Sequence, residues 1–376
     1  VGSGEYYLFP IPHSPLPTPP LFCNGADPGA PKIDSPLDRR YSPPRVNPMT
    51  QTNAPRQSSQ ATAHKFALLG VDLGSNHIRV GTVDPAGRVL AFRREPYSEE
   101  ARKTARALAD QILSVSKQMA EEQAATAPVS AVGVAFPGLV NQVTHRVIEL
   151  ARLPSLAEID LRREIMQTFG VPTHFENNAN AAAFAEMAIG AARNLSDWLY
   201  LHIGANVNAG LVLNGQLHRG KSGLAGAIGN MNVYAEHPGS LIPLQAMASA
   251  ESVVRRTRER LQKDRTSSLS KLGAMGGFTY EDIITQAHAG DDLAKMMLSR
   301  TGSYIAMAIA DVINLLNLAM VAIGGAPAAR PFLTASIAEA VRERAYTAAV
   351  SDCRVVAAEL EVEASVIGAA LLAHEN

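Results

Sequence analysis

The sequence predicts an α/β protein built from one domain duplicated into two lobes, with a ligand cleft between the copies. Three observations predict it. From residue 66 onward, apolar runs of strand length alternate with longer stretches of helical period. The order strand-strand-strand-helix-strand-helix-strand-helix occurs twice. In each copy the first two strands meet at a glycine-bearing turn, Gly74-Ser75-Asn76 in one and Gly204-Ala205-Asn206 in the other. Alternation of strands and helices is the pattern of layered α/β folds, and a ligand is expected where the two copies face each other.

The first copy opens with an apolar strand over 66–73, the Gly74 turn, and a second strand over 78–83. Asp84-Pro85-Ala86-Gly87 has the residues of a tight turn into a third strand. Over 98–124, Ala101, Ala105, Leu108, Ile112, Val115 and Met119 form one apolar stripe of a long helix. A strand over 129–136 follows, then an irregular stretch. Next come a helix from Asp160 closed by Gly170, a short strand to Glu176, and an Ala-rich helix ending at Gly190. The second copy has strands over 198–203 and 210–213, the hairpin dipeptide Asn214-Gly215 and another short strand. Helices over 241–262, 279–289 and 291–316 then lead to a strand over 319–323. A helix near Phe332, a strand over 354–358 and a closing helix complete it. The expected divisions are an extension over 1–62, a first lobe over 63–192 and a second over 193–376.

Composition narrows the function classes. Lys and Arg total 34 against 35 Asp and Glu, so no surplus of positive charge points to nucleic acid or an anionic membrane as partner. Cys23 and Cys353 are too few for a secreted disulfide framework or a four-thiolate zinc site, and a cytoplasmic protein is expected. The most apolar region, 303–329, is interrupted by Asp311, Asn314 and Asn317, which suits a buried helix and strand rather than a membrane span. The first 60 residues hold 13 of the 23 prolines and no sustained period, so disorder of polyproline character is expected there. A passive extension, or sequence upstream of a start at Met49, is a simpler reading of it than a Pro-rich docking tail. It lacks the pattern of a secretory signal.

At each glycine turn, a missing side chain lets backbone N–H groups line up on the oxygens of a phosphate. Gly74, Asn76, Gly204 and Asn206 are therefore candidate phosphate residues. Asp72, just before the first turn, has the chemistry to orient a hydrated magnesium ion. Gly324 and Gly325, following an apolar strand, offer a third backbone approach beside a nucleotide's adenosine, although an ordinary strand-to-helix turn looks the same.

Gly70-Val71-Asp72-Leu73-Gly74, Gly133-Val134-Ala135-Phe136-Pro137-Gly138 and Glu176-Asn177-Asn178-Ala179-Asn180-Ala181-Ala182-Ala183 occur in one order with Asn214-Gly215, Arg219-Gly220, Ala225-Gly226 and Gly324-Gly325. In that order and spacing the chain from Phe66 to its end resembles the ROK (repressor, open reading frame, kinase) family. The resemblance implies an actin-like ATPase (ribonuclease H-like) fold and a sugar or sugar derivative as ligand. It also implies Mg-ATP as cofactor in active members, and a homodimer. Active members pass the γ-phosphoryl group of ATP to a sugar hydroxyl.

Several positions depart from the active pattern. Asn178 stands where the family's catalytic aspartate accepts the proton of the attacking hydroxyl, and an amide cannot accept it; Asn178 would also serve as N-cap of the Ala-rich helix. The kinases' Gly-Gly-Thr and Gly-Thr-Gly turns have become Gly74-Ser75-Asn76 and Gly204-Ala205-Asn206. Asn177 stands at a sugar-binding position, Asn230 replaces a sugar-binding and zinc-ligating histidine, and Gln245 replaces a sugar-binding glutamate. Arg152 replaces a sugar-binding asparagine and offers a planar fork suited to a carboxylate or phosphate. The zinc signature has no cysteine between Asn230 and Ser249, and His237 alone makes no tetrahedral site, so no zinc is expected. The stretch 236–243 reads instead as a loop held by proline and apolar packing.

The expected function is that of a sugar kinase-like protein, catalytically impaired, acting as a carbohydrate-binding or regulatory protein. The alternative is an active, glucokinase-like ATP-dependent sugar kinase whose base has moved to Glu176 or Glu186. A sugar-responsive transcriptional regulator lacking its DNA-binding domain is the third and weaker alternative: the repressors carry a winged helix-turn-helix before the first strand, and residues 1–65 show no amphipathic helix pair able to enter a DNA groove.

Overall fold

A computed structural model describes residues 65–150, 153–234, 240–262 and 266–375, with the side chain of Glu149 left outside that description. The expected extension over 1–62, Arg152 and His237 lie outside the described residues.

The first lobe contains β1 (Ala67–Leu73), β2 (His77–Val83), β3 (Val89–Pro96), α1 (Glu99–Lys103), α2 (Ala105–Ala124), β4 (Val129–Phe136), β5 (Gly138–Asn141), β6 (Arg146–Leu150), α3 (Leu161–Phe169), β7 (Thr173–Asn177) and α4 (Asn178–Ile189). The second contains β8 (Trp198–Ile203), β9 (Val207–Leu213), β10 (Gln216–Leu217), β11 (Asn232–Tyr234), β12 (Leu241–Pro243), α5 (Gln245–Ala248), α6 (Ala250–Leu261), α7 (Leu269–Ala274), α8 (Tyr280–His288), α9 (Asp292–Leu316), β13 (Met320–Gly325), α10 (Arg330–Arg344), α11 (Thr347–Asp352), β14 (Arg354–Ala357) and α12 (Ala364–Glu375). The two main sheets run β3-β2-β1-β4-β7 and β10-β9-β8-β13-β14. Counted in chain order within each sheet, both orders are third, second, first, fourth, fifth. The duplication expected from the sequence is therefore present in the hydrogen bonding.

The sequence expectations need four corrections. The helix over 98–124 is two helices, because Thr104 adopts an extended backbone (φ −131°) and is both the C-cap of α1 and, through its side chain, the N-cap of α2. The irregular stretch after Phe136 holds the β5–β6 hairpin. The helix over 241–262 begins instead as β12, paired with β11, and then breaks at Ser249, whose side chain caps α6. The fourth correction concerns α12. Assigned by position to the second lobe, it packs against β1, β4 and α4 of the first.

Small residues explain that last arrangement. The Ala-rich α4 and α12 are buried nearly all round, as expected of helices enclosed by protein. On one side of this pair, Phe184 and Ala185 of α4 and Ile367, Ala370 and Leu371 of α12 pack with Leu68, Val83 and Ala131 of the first sheet. On the other side, Ala179, Ala182 and Ala183 of α4 and Ala364 of α12 pack with Trp198, Tyr200 and Val212 of the second. A Cβ on Gly133 would collide with the backbone oxygen of Ala369, and one on Gly368 with that of Ala181. The glycines let backbone lie on backbone. Outer cores complete each lobe, with Leu108 and Ile112 of α2 on the first sheet and Ile305 and Ile309 of α9 on the second.

Candidate functional site

The site begins at the β1–β2 turn. Gly74 N donates to His77 O at 2.9 Å, closing the hairpin, and the Tyr97 hydroxyl donates to Gly74 O at 3.0 Å. The Asn76 carbonyl accepts from Arg102 Nη2 at 3.1 Å. This antiparallel register puts Asp72 directly across from Arg79. Arg79 Nη1 lies 2.6 Å from Asp72 Oδ2, an ion pair in which the carboxylate is 1% exposed and the arginine 24%. Asp72 Oδ1 is buried and has no hydrogen-bond partner among the described residues. The carboxylate assigned by sequence to a hydrated magnesium ion thus already has a protein cation on one oxygen.

The second turn sits beside the first in its electrostatics. Gly204 N donates to Asn206 O at 3.0 Å, and Ala250 N, at the start of α6, donates to Gly204 O at 2.8 Å. A Cβ on Gly204 would stand 2.9 Å from His202 Nε2, so the imidazole occupies the space a side chain there would need. Burial pushes the His202 pKa down to about 4; Asp72 opposes the shift, while Arg79 and Arg330 reinforce it. Asp72, Arg79, His202 and Arg330 form one charge cluster contributed by both lobes. At neutral pH His202 is uncharged.

Arg330 begins α10 and is 6% exposed, with Nη1 donating to Ala358 O at 3.0 Å and Nη2 to Gly325 O at 3.5 Å. Gly325 has φ +98°, and a Cβ there would strike Ile203 O; one on Gly324 would strike the Tyr200 hydroxyl. These two glycines therefore have a packing reason that holds with or without a nucleotide.

The start of α4 carries the base position. Asn177, not Asn178, is the N-cap: its Oδ1 accepts from Ala179 N at 2.8 Å and Asn180 N at 3.4 Å, and its Nδ2 donates to Gly138 O at 2.6 Å. Asn178 is the first helical residue, and its Oδ1 is buried with no hydrogen-bond partner among the described residues. Capping went one residue earlier because Asn177 ends β7 with extended backbone (φ −69°, ψ 142°), the conformation a cap requires.

The two carboxylates considered as relocated bases are both committed. Glu176 Oε1 accepts from Asn177 N at 2.9 Å, Asn180 Nδ2 at 3.0 Å and Gln142 Nε2 at 3.3 Å, and Oε2 accepts from Arg219 Nε at 2.7 Å. Burial opposes its ionisation, but the His174 ring, the Arg219 guanidinium and the Asn180 amide outweigh burial and hold its pKa below the ordinary value. Glu186 has its pKa raised by burial, the direction that suits a base. Yet it is fully buried, and its two oxygens take Ala191 N at 2.7 Å and Leu360 N at 2.8 Å, tying α4 to the segment before α12. Both are buried, and each of their oxygens already has a protein donor.

Gln245 opens α5 and its Oε1 accepts from Val207 N at 3.4 Å, bracing the start of β9. Asn230 ends a short 3-10 turn with its side chain exposed. Among the described residues no three of His, Cys, Asp and Glu converge as a metal site, and no helix is long and apolar enough to cross a membrane. Arg79, His202 and Arg330 were not singled out in the sequence. Arg79 was recoverable, since counting outward from the turn places it opposite Asp72. His202 and Arg330 depend on contacts across the lobes.

Two sheets of one order, two glycine turns joined by a shared charge cluster and a helix N-terminus at the base position define a protein of the two-lobed, actin-like ATPase class to which sugar kinases belong. The ROK family model matches residues 68–376, and the chain belongs to the ROK family. It is 30% identical over 320 residues to the glucokinase of Thermotoga maritima, covering 83% of this chain and 98% of that protein. Identity to the xylose repressor of Caldicellulosiruptor bescii is 24% over 312 residues, covering 80% of this chain and 76% of the repressor. The ROK family glucokinase from Streptomyces griseus, solved in complex with glucose and AMPPNP, superposes with a TM-score of 0.71 at 25% identity, over 82% of this chain and 100% of that one.

Proposed function

We propose that this chain is a carbohydrate-binding ROK protein without phosphoryl transfer, acting as a ligand sensor or regulator in the cytoplasm. The observation that carries this reading is Asn178: an amide at the base position, its Oδ1 buried without a partner among the described residues, while Glu176 and Glu186 are buried with a protein donor on each oxygen. A buried acceptor left unpaired costs about 1–3 kcal/mol, and a sugar hydroxyl donating to it removes that cost. The same amide takes no proton from that hydroxyl, so binding and chemistry separate.

Two further observations support the reading. Arg79 on Asp72 supplies the positive charge that a magnesium ion would supply there, and His202 fills the space beside Gly204. These residues do not fit a magnesium–phosphate site, although Mg-ATP use is what the likeness to a glucokinase solved with AMPPNP would otherwise suggest. Assembly as a homodimer belongs to this reading on the family resemblance. A second reading, the sensing part of a sugar-responsive transcriptional regulator, is favoured by the match to a xylose repressor.

Thermal melts with glucose, xylose, fructose, mannose and N-acetylated hexosamines test the binding reading. A sugar that binds only the folded chain stabilises it by about 2.7 kcal/mol at a hundredfold excess over Kd. At least one sugar is expected to raise the melting temperature, and Asn178→Ala to reduce that shift. If no sugar moves the melt, carbohydrate binding is wrong.

A further inference from the structure

Beside β7 the first lobe has two cavities, of about 370 and 490 Å³, that share His145 and Arg162. Neither belongs to the sugar or nucleotide residues described above. The first is lined by Gln142, His145, Arg162, Thr173, His174 and Arg219, together with Pro172 and Ala373, and among the described residues no carboxylate lines it. The second adds Arg146 and Arg163. Its carboxylate among the described residues, Asp160, accepts from Arg163 N at 3.2 Å as the cap of α3.

Both arginines of the first cavity are anchored through one nitrogen. Arg162 Nε donates to Thr173 O at 2.9 Å and Arg219 Nε to Glu176 Oε2 at 2.7 Å. Their terminal nitrogens have no acceptor among the described residues, so each fork is held in place with donors to spare. His174 is 7% exposed, and its Nε2 lies 3.7 Å from Glu176 Oε2 with no hydrogen-bond partner. His145 Nδ1 is likewise buried and unpartnered. Two guanidinium forks and the unpaired Nδ1 of His145 around a small concave space form an anion receptor, with the His174 ring turned to Glu176 behind it.

We propose that this cavity binds a phosphate group, free or as the monoester of a small molecule, between Arg162 and Arg219, with His145 completing its shell. The concave volume suits a small molecule rather than a polymer backbone. Arg219 and His174 also face Glu176, which holds Asn177 N and the Asn180 side chain at the start of α4. Through Glu176, occupancy thus reaches Asn177 and Asn180, which flank Asn178 at the start of α4. The inference does not depend on sugar binding in the cleft.

Isothermal titration of the full chain with inorganic phosphate and with glucose 6-phosphate, each at ionic strength fixed with chloride, tests it. Saturable one-to-one binding of at least one probe is expected. Arg162→Gln and His145→Asn are each expected to weaken it at least about tenfold, the effect of losing a charge-assisted contact. Asparagine tolerates the left-handed backbone of His145 (φ 52°), so His145→Asn keeps the turn and remains informative if Arg162→Gln misfolds. Tighter binding of the monoester identifies that source, and equal or tighter binding of phosphate identifies the free anion. Absence of saturable binding by both probes, or binding that the folded variants leave unchanged, overturns the proposal.

Discussion

Arg79 and Asp72 face each other across β2 and β1, with Arg79 Nη1 2.6 Å from Asp72 Oδ2, and the carboxylate is 1% exposed. Removing one partner of a buried pair costs about 3–5 kcal/mol, because the other charge stays buried alone. Arg79 is 24% exposed, so solvent screening reduces the expected cost of Arg79→Ala to about 1–3 kcal/mol. Urea melts of Arg79→Ala and of the double variant Asp72→Asn/Arg79→Ala measure it. The double variant is expected to recover part of the loss; a single-variant cost below about 0.5 kcal/mol would class the pair with ordinary surface ion pairs.

His202 is expected to make the protein acid-sensitive. Burial lowers its folded pKa to about 4 from the ordinary 6.5, so between those values the unfolded chain holds the extra proton. Its contribution is complete above pH 6.5 and is lost as pH falls toward 4, on the order of 1–3 kcal/mol in all. Denaturant melts at pH 7 and pH 4.5 are compared for wild type and His202→Gln. The wild type is expected to lose more stability on acidification than the variant. Equal losses would show that the His202 ring is solvated.

The duplication was legible in the sequence because each strand is an apolar run bounded by turn residues; β8, for example, holds Trp198–Ile203 as expected. The engaged state of Glu176 was not legible. Its partners Arg219, Gln142 and His174 come from separate elements, and side-chain pairing across them leaves no periodic trace. The capping swap between Asn177 and Asn178 failed for another reason: the two are identical in type, and only the end of β7 decides which has extended backbone. The placement of α12 was missed because chain order was taken for spatial order, while Gly70, Gly133 and Gly368 record its real neighbours.

Gly368→Val is expected to unfold or severely weaken the chain. A Cβ there meets the Ala181 carbonyl, backbone of α4 that cannot swing aside as a side chain can. Overpacking of a core costs about 1–3 kcal/mol when side chains yield, and more is expected here. The urea midpoint of Gly368→Val measures it, with Gly273→Val as comparison, since a Cβ on Gly273 has nothing within 4 Å. Similar midpoints for the two variants would show that α4 and α12 are not in backbone contact.

Loss of phosphoryl transfer through Asn178 is read from ADP release by the purified chain. The coupled assay supplies Mg-ATP with glucose, fructose, mannose or an N-acetylated hexosamine. General-base assistance is worth about 10²- to 10⁴-fold, so turnover is expected to stay at or below about 0.1 s⁻¹, against the common enzyme value near 10 s⁻¹. Turnover of about 10 s⁻¹ on any of these sugars would contradict it and return the protein to the active kinases.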